Sequence, residues 1–371
     1  MKYPLHRPVV RHAEVQAVSA VLRSGDLVHG RVATKFEAAV AKLLGFKRGV
    51  AVSSGTSALH VSLKALVGDR EGEVIVPAFG YPATANVVAL SGLKVRFADI
   101  SPTTWALSPE SVAAVAGPET LGAILVHPFG MPAPLTPLTA QADSEGWWLI
   151  QDAACVLGTD PAVFGPDLHR SPCCLSFHPR KVLTTGEGGM VLTDDDALAA
   201  SMKRWVNHGV ESTEESWLRF AQVGFNYRLT DIAAAIGMVQ VARLDTIAGT
   251  RRAIANAYRE ALSGVDGVRW HAGYDRPDLS VQSLVVTLAP EIDRDALIKW
   301  LRDEGIGTTL GGYAIHLQPA YVARCGDQEG AFPEAERLYR TSLTLPVTEG
   351  MATEDVGVIC DTLKRGIDIH G

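Results

Sequence analysis

Apolar residues along this chain fall into two rhythms. Over 49–52, 73–77, 94–98, 122–127, 148–152 and 190–193, short runs rich in Val, Ile, Leu and Ala alternate with stretches of helical spacing. A short unbroken apolar run between turn residues suits a strand buried on both faces, and strands that alternate with helices build βα units around a mostly parallel sheet. The predicted fold class is therefore α/β. Thr230 can cap a helix, and the Ala- and Val-rich residues that follow predict a long buried helix to Leu244, with helical pattern continuing over 251–262. After Gly264, short strands at 268–271 and 281–288, a helix near 293–304 and a last helix over 354–365 predict a separate α+β unit. The boundary is expected at about residues 245–265, within the helical stretch, giving a large domain (1–250) and a smaller C-terminal domain (251–371), with residues 1–13 packing on the latter.

Composition changes this picture little but narrows the partners. With 371 residues, 47% of them hydrophobic and 20% charged, the chain can bury a large core. A net charge of −7 without blocks of like charge favours neither nucleic acid nor an anionic membrane surface, so a small-molecule partner is expected. The first residues form no continuous apolar stretch and offer no small-residue cleavage site, and no later run is long enough to span a bilayer; a cytoplasmic protein is expected. The cysteines (Cys155, Cys173, Cys174, Cys325, Cys360) are odd in number and lack CxxC spacing, which argues against a disulfide framework and against a zinc site. No metal is expected.

Four stretches could carry chemistry. Ser53-Ser54-Gly55-Thr56-Ser57 follows the first strand and opens a helix, where free backbone amides, a glycine and hydroxyls can cradle a phosphate; a plain N-cap is the ordinary alternative. Asp152 ends the 148–152 strand, at the edge where open α/β sheets bind ligands, and could either cap a turn or pair with a protonated ring nitrogen. Lys181 lies between an apolar strand and the turn Thr184-Thr185-Gly186-Glu187-Gly188-Gly189, a setting that suits a partly buried nucleophile as well as a surface lysine before a hairpin. The loop Gly224-Phe225-Asn226-Tyr227-Arg228, just ahead of the long helix, suits a phosphate or carboxylate, or simple capping.

Taken in order, these stretches resemble the DegT/DnrJ/StrS family of pyridoxal-phosphate sugar aminotransferases. The similarity runs from Pro4 to the final helix and includes Leu22-Arg23-Ser24-Gly25, Val74-Ile75-Val76-Pro77, Asp152-Ala153-Ala154, residues 176–189 and 226–231, and His316-Leu317-Gln318-Pro319-Ala320-Tyr321. The resemblance implies the fold type I architecture, a mostly parallel sheet flanked by helices with a smaller C-terminal α+β domain, and a homodimer with active sites at its interface. It makes Lys181 the Schiff-base lysine and Asp152 the partner of the pyridine nitrogen. It assigns the cofactor phosphate to Gly55, Thr56 and Ser176, with Asn226 from the neighbouring subunit, and places Tyr81 against the ring. Two positions depart from the family pattern. Cys155 stands where Gln or His is usual; its thiol is a weak donor, so it either meets the ring's 3-oxygen poorly or merely packs beside the site, and packing is the expectation, while Phe225 stands where Tyr is common.

The implied reaction passes an amino group from an amino acid, by analogy glutamate, through the pyridoxamine form of the cofactor to a keto sugar, normally nucleotide-linked, in a sugar or natural-product pathway. Lys181 would serve as the base of the proton shift. Arg7, His29, Arg228, His316 and Tyr321 are the candidate substrate contacts. A ketocyclitol substrate is the alternative within the class. A dehydratase reading, in which histidine replaces the lysine, is opposed by Lys181, and a regulatory protein that keeps the fold without turnover is the non-enzymatic alternative.

Overall fold

The structure is a computed structural model describing residues 1–211 and 217–371. Seven strands, β1 (Arg48–Val52), β2 (Glu73–Pro77), β3 (Lys94–Ala98), β4 (Thr120–Val126), β5 (Trp148–Asp152), β6 (Cys173–Ser176) and β7 (Gly189–Thr193), form one sheet in the order β1-β7-β6-β5-β4-β2-β3. Neighbours run parallel except β7, which is antiparallel to both β1 and β6. Successive side chains point to opposite faces. Val50, Val74, Val76, Ile124 and Ile150 join one core, while Ala51, Ile75, Ala123, Leu125 and Leu149 join the other. Burial on both faces is why these strands read as unbroken apolar runs. The pattern does not predict β6, whose four residues Cys-Cys-Leu-Ser are too short and too mixed to stand out.

Residues beyond 262 build a second sheet from β8 (Val268–Arg269), β9 (Leu284–Leu288), β10 (Thr309–Leu310) and β11 (Ser342–Leu345), in the antiparallel order β8-β9-β11-β10. The strand expected over 281–288 starts later, because Val281 adopts a left-handed φ of 50° that no strand can hold. At the other end of the chain the amides of Lys2 and Tyr3 both donate to Gly305 O at 2.9 Å, and Gly307 N donates to Tyr3 O at 2.7 Å.

Three helices, α1 (His12–Ser24), α2 (Arg31–Leu43) and α3 (Gly55–Val67), lead into and out of β1. The long helix expected after Thr230 is two, α4 (Asp231–Ala242) and α5 (Leu244–Leu262), bent by 63° at Arg243, so residue 250 lies inside α5. Thr230 does cap α4, its Oγ1 accepting from Ala233 N at 3.1 Å. No single helix among the described residues is long and apolar enough to cross a bilayer, and all five cysteines are unpaired.

Asp231, buried in the first turn of α4, fixes where α2 begins. Its Oδ1 accepts from Gly30 N at 2.9 Å and Ala33 N at 2.8 Å, and its Oδ2 from Val32 N at 3.1 Å. Those amides have no acceptor inside α2, and a carboxylate there also complements the helix dipole. Farther along α2, Glu37 Oε1 accepts from Ala51 N of β1 at 2.9 Å, so the helix is tied to the sheet edge as well. Asp231→Ala should lower the stability of the cofactor-free protein by about 2–4 kcal/mol, the cost of a lost cap plus unsatisfied buried amides, read from the urea unfolding midpoint; Asp231→Asn, which retains one acceptor oxygen, should cost less.

Candidate functional site

The parallel strands β4, β5 and β6 end on one edge of the sheet, and the candidate residues gather there. Asp152 closes β5 and Ser176 closes β6, one strand away. Gln151, just before Asp152, points the other way and is buried in bonds to His127, Leu168 and Ser171, which pins the strand end. Among the described residues Asp152 has one hydrogen-bond partner, Ala154 N donating to Oδ1 at 3.2 Å. Burial drives the Asp152 pKa up from the ordinary carboxylate value, against the pull of the nearby Lys181 charge. A carboxylate desolvated in this way is best held charged by a cation brought to its second oxygen.

The first turn of α3 faces the same edge. Ser54 caps it, accepting from Ser57 N at 3.0 Å, and among the described residues the amides of Gly55 and Thr56 find no protein acceptor. Ser176 lies directly against Gly55: a Cβ at position 55 would come 2.8 Å from the Ser176 Cβ and 3.2 Å from its Oγ. Two free amides at a helix N-terminus and a serine hydroxyl brought together by a glycine form an anion cradle.

Lys181 sits on the turn that leaves β6 and returns as β7. Phe177 N donates to Gly188 O at 2.8 Å, Thr185 N to Phe177 O at 3.1 Å and Lys181 N to His178 O at 2.8 Å, which closes the turn. Gln282 holds the peptides on either side of the lysine: its Oε1 accepts from Val182 N at 2.8 Å and its Nε2 donates to Arg180 O at 2.6 Å. The half-buried Lys181 Nζ lies 3.1 Å from Cys155 Sγ. Cys155 thus stands at the lysine amine rather than packing away from the site. Beside the turn, a narrow crevice is lined by His6, Arg7, Arg180 and Lys181, with Glu349 among its other walls. Burial and the neighbouring Arg180 and His178 lower the pKa of His6, as expected beside so much positive charge.

The remaining candidates divide. Tyr81 follows the two-residue strand Phe79–Gly80 and is 72% exposed, which excludes a core role. The 224–230 loop is stitched to β1 and α3, with Ser53 N donating to Tyr227 O at 2.7 Å and Arg228 bridging to Val52. Within it Phe225 stacks on Tyr227 at 4.6 Å, Arg228 Nη1 donates to Asn207 Oδ1 at 2.5 Å, and the Asn226 side chain is exposed and makes no hydrogen bond among the described residues. His29 is bonded to Glu37 at 3.1 Å, a contact that raises its pKa and makes it part of the α2 anchor.

His316 and Tyr321 require correction as substrate contacts. His316 is 1% exposed with its ring on Glu336 at 3.3 Å, and Tyr321 is 4% exposed with its hydroxyl donating to Asn86 Oδ1 at 2.5 Å and Pro82 O at 3.3 Å. Both are interior groups; Tyr321 acts on the site only by holding the carbonyl next to Tyr81. Gln282 and Arg251, by contrast, are absent from the candidates because their partners lie 30 to 102 residues away and no local spacing marks them.

The model of the DegT/DnrJ/EryC1/StrS aminotransferase family matches residues 8–364 of this chain. The aminotransferase TlmJ from Streptoalloteichus hindustanus is 30% identical over 99% of both chains, with a TM-score of 0.87. DesI, solved in the presence of its TDP-sugar product, is 29% identical over 99% of this chain and 94% of its own, with a TM-score of 0.87. The sugar aminotransferase CalS13 from Micromonospora echinospora is 26% identical over 98% of this chain and 100% of its own, with a TM-score of 0.88. A match over nearly the whole length, on a fold whose sheet edge gathers a lysine, a half-buried carboxylate and an anion cradle, places the chain in the DegT/DnrJ/EryC1/StrS family as a pyridoxal-phosphate-dependent sugar aminotransferase of fold type I.

Proposed function

We propose that this enzyme transfers an amino group from an amino acid, glutamate by the resemblance, to the ring ketone of a nucleotide-linked keto sugar, with Lys181 as both the covalent anchor of the cofactor and the base of the proton transfer. The observation that carries the reading is the convergence of Lys181, Asp152 and the Gly55–Ser176 contact on one sheet edge. The cradle fits the cofactor's phosphate: the Gly55 and Thr56 amides and the Ser176 hydroxyl are unfilled donors that a side chain at position 55 would block. Asp152 would face the pyridine nitrogen, where a proton on the ring supplies the cation that its desolvated carboxylate lacks. Tyr81 would cover the ring face. When bound, the cofactor supplies an electron sink for the charge that develops beside the transferred nitrogen.

The chain's own groups then account for the rest. Once free, the Lys181 amine could carry a proton between the two carbons that flank the transferred nitrogen without leaving the site, and Cys155, 3.1 Å away, accepts a hydrogen bond from it. Arg7 and Arg180 bring to the crevice beside the lysine the positive charge that a diphosphate or a donor carboxylate needs. Arg228 remains a candidate for the same ligands from a partner. The site is completed by a second copy in this reading: the Asn226 side chain is exposed and makes no hydrogen bond among the described residues, and Leu218, Phe220 and Val223 nearby present apolar surface. Unpaired thiols fit a reducing, cytoplasmic setting, and an amino-sugar or natural-product pathway is the expected context.

Four outcomes are expected. The pyridoxamine form should regain its visible band when offered nucleotide keto sugars and not ketocyclitols; the opposite selectivity would make the cyclitol reading the correct one. After borohydride treatment the wild-type protein should carry the cofactor's mass and Lys181→Ala should not, and Lys181→Ala mixed with Asn226→Ala should recover activity through hybrid dimers; no recovery despite subunit exchange would rule out a shared site. For Asp152, a folded pKa above the unfolded one means that the native state holds the extra proton, so the stabilising contribution present below the unfolded carboxylate value is lost as pH rises through the folded value. Asp152→Asn should therefore melt higher than wild type when cofactor-free at neutral pH, with the gap closing toward about pH 4, and should hold the cofactor less tightly.

A further inference from the structure

The turn that carries Lys181 is gripped from outside its own sheet. Gln282 belongs to the segment that leads into β9 of the second sheet, and its carboxamide uses both of its functions on the lysine turn, accepting from Val182 N at 2.8 Å and donating to Arg180 O at 2.6 Å. These are the peptide groups on either side of Lys181, so together the two bonds fix the direction in which its side chain leaves the backbone.

Gln282 is itself seated by Arg251 of α5, whose Nε donates to Val281 O at 3.0 Å and whose Nη2 donates to Gln282 O at 2.5 Å. Two unfavourable features accompany this seat. Val281 is β-branched and held at a φ of 50°, in the left-handed region that such residues avoid. Arg251 is buried with no acidic partner among the described residues, and burial lowers its pKa to about 10. A strained residue and an unpaired buried cation persist only where surrounding contacts over-determine them, and such features gather at working sites. On its other flank Gln282 lies against Gly130, where a Cβ would come 2.7 Å from Cys155 O and 3.5 Å from Gln282 Cβ. Gln282 therefore touches the lysine turn and also borders the loop that brings Cys155 to the lysine amine.

We infer that Gln282, seated by Arg251, is a positioning residue that aims the Lys181 amine, linking the second sheet to the reacting centre. The inference rests on the reading of Lys181 as the cofactor's anchor. Gln282→Met keeps the length of the side chain and removes both bonds, whereas Gln282→Glu keeps an acceptor for Val182 N and loses the donor to Arg180 O. Val286→Ala, in the buried middle of β9, serves as a control that loosens the second sheet without touching the clamp.

In cofactor-free protein, hydrogen–deuterium exchange of the peptide spanning 180–186 should speed up by about five- to tenfold in Gln282→Met, the factor that one lost hydrogen bond carries, and less in Gln282→Glu. In the loaded enzyme the pH titration of the visible band should shift in Gln282→Met. Its kcat should fall by about tenfold to a hundredfold with KM for the amino donor little changed, as displacement of a reacting group predicts. Unchanged exchange at 180–186 in Gln282→Met would overturn the clamp. Faster exchange with an unmoved titration and kcat would reduce Gln282 to a structural role, as would equal effects from Val286→Ala. If Gln282→Met does not fold, Gln282→Glu and Arg251→Met face the same criteria. Failure of the underlying reading shows separately, as borohydride-treated wild type whose Lys181 peptide carries no cofactor.

Discussion

Two backbones cross at the first turn of α3 with almost no space between them, and the site depends on that crossing. A side chain at Gly189 would come 2.3 Å from Ser54 O, and one at Gly55 would come 2.8 Å from Ser176. Because neither glycine carries one, β7 can return antiparallel between β1 and β6, and the turn before it must close over the sheet edge. That turn carries Lys181. The same contact presents two unpaired amides and a hydroxyl to one point, so the position of the lysine and the position of the anion cradle follow from a single close approach.

Around this crossing, the sheet edge keeps charge where water cannot easily reach it. Asp152 and Arg251 are both desolvated, and their pKa values move in opposite directions, the acid up and the base down. Among the described residues neither is neutralised by a salt bridge. Asp152 is left open to a ligand, while Arg251 spends its donors on backbone carbonyls and keeps a strained valine in place. The first is a binding group and the second a piece of scaffold, and only the surrounding hydrogen bonds tell them apart.

Much of the large sheet was legible because burial on both faces writes itself into local composition. The strands 73–77, 94–98 and 148–152 were read with their observed limits, and Asp152 could be placed at a strand end for that reason. What escaped was short or remote. Cys173–Ser176 and Ser342–Leu345 have four residues each with hydroxyls and thiols among them, although each sits between two other strands. The motif around His316 and Tyr321 marked residues that matter, but its polar groups turn inward to Glu336 and Asn86, and polarity in sequence does not reveal which way a side chain faces. Asp231 stood in a recognised stretch, yet its acceptors serve amides about two hundred positions earlier, a link that no periodicity encodes.

The hydrogen bonds from Gln282 to Arg180 and Val182 also bear on how the molecule comes apart. Segments joined by few contacts open independently, and those that share buried bonds open together. The lysine turn belongs by topology to the large sheet, but its peptides are satisfied by a residue that enters the second one. Loosening of β9 and β11 should then expose the turn before the parallel strands give way, and a ligand held at the turn stabilises by mass action a sheet it never touches. Cofactor occupancy becomes a report on the folding of the second sheet.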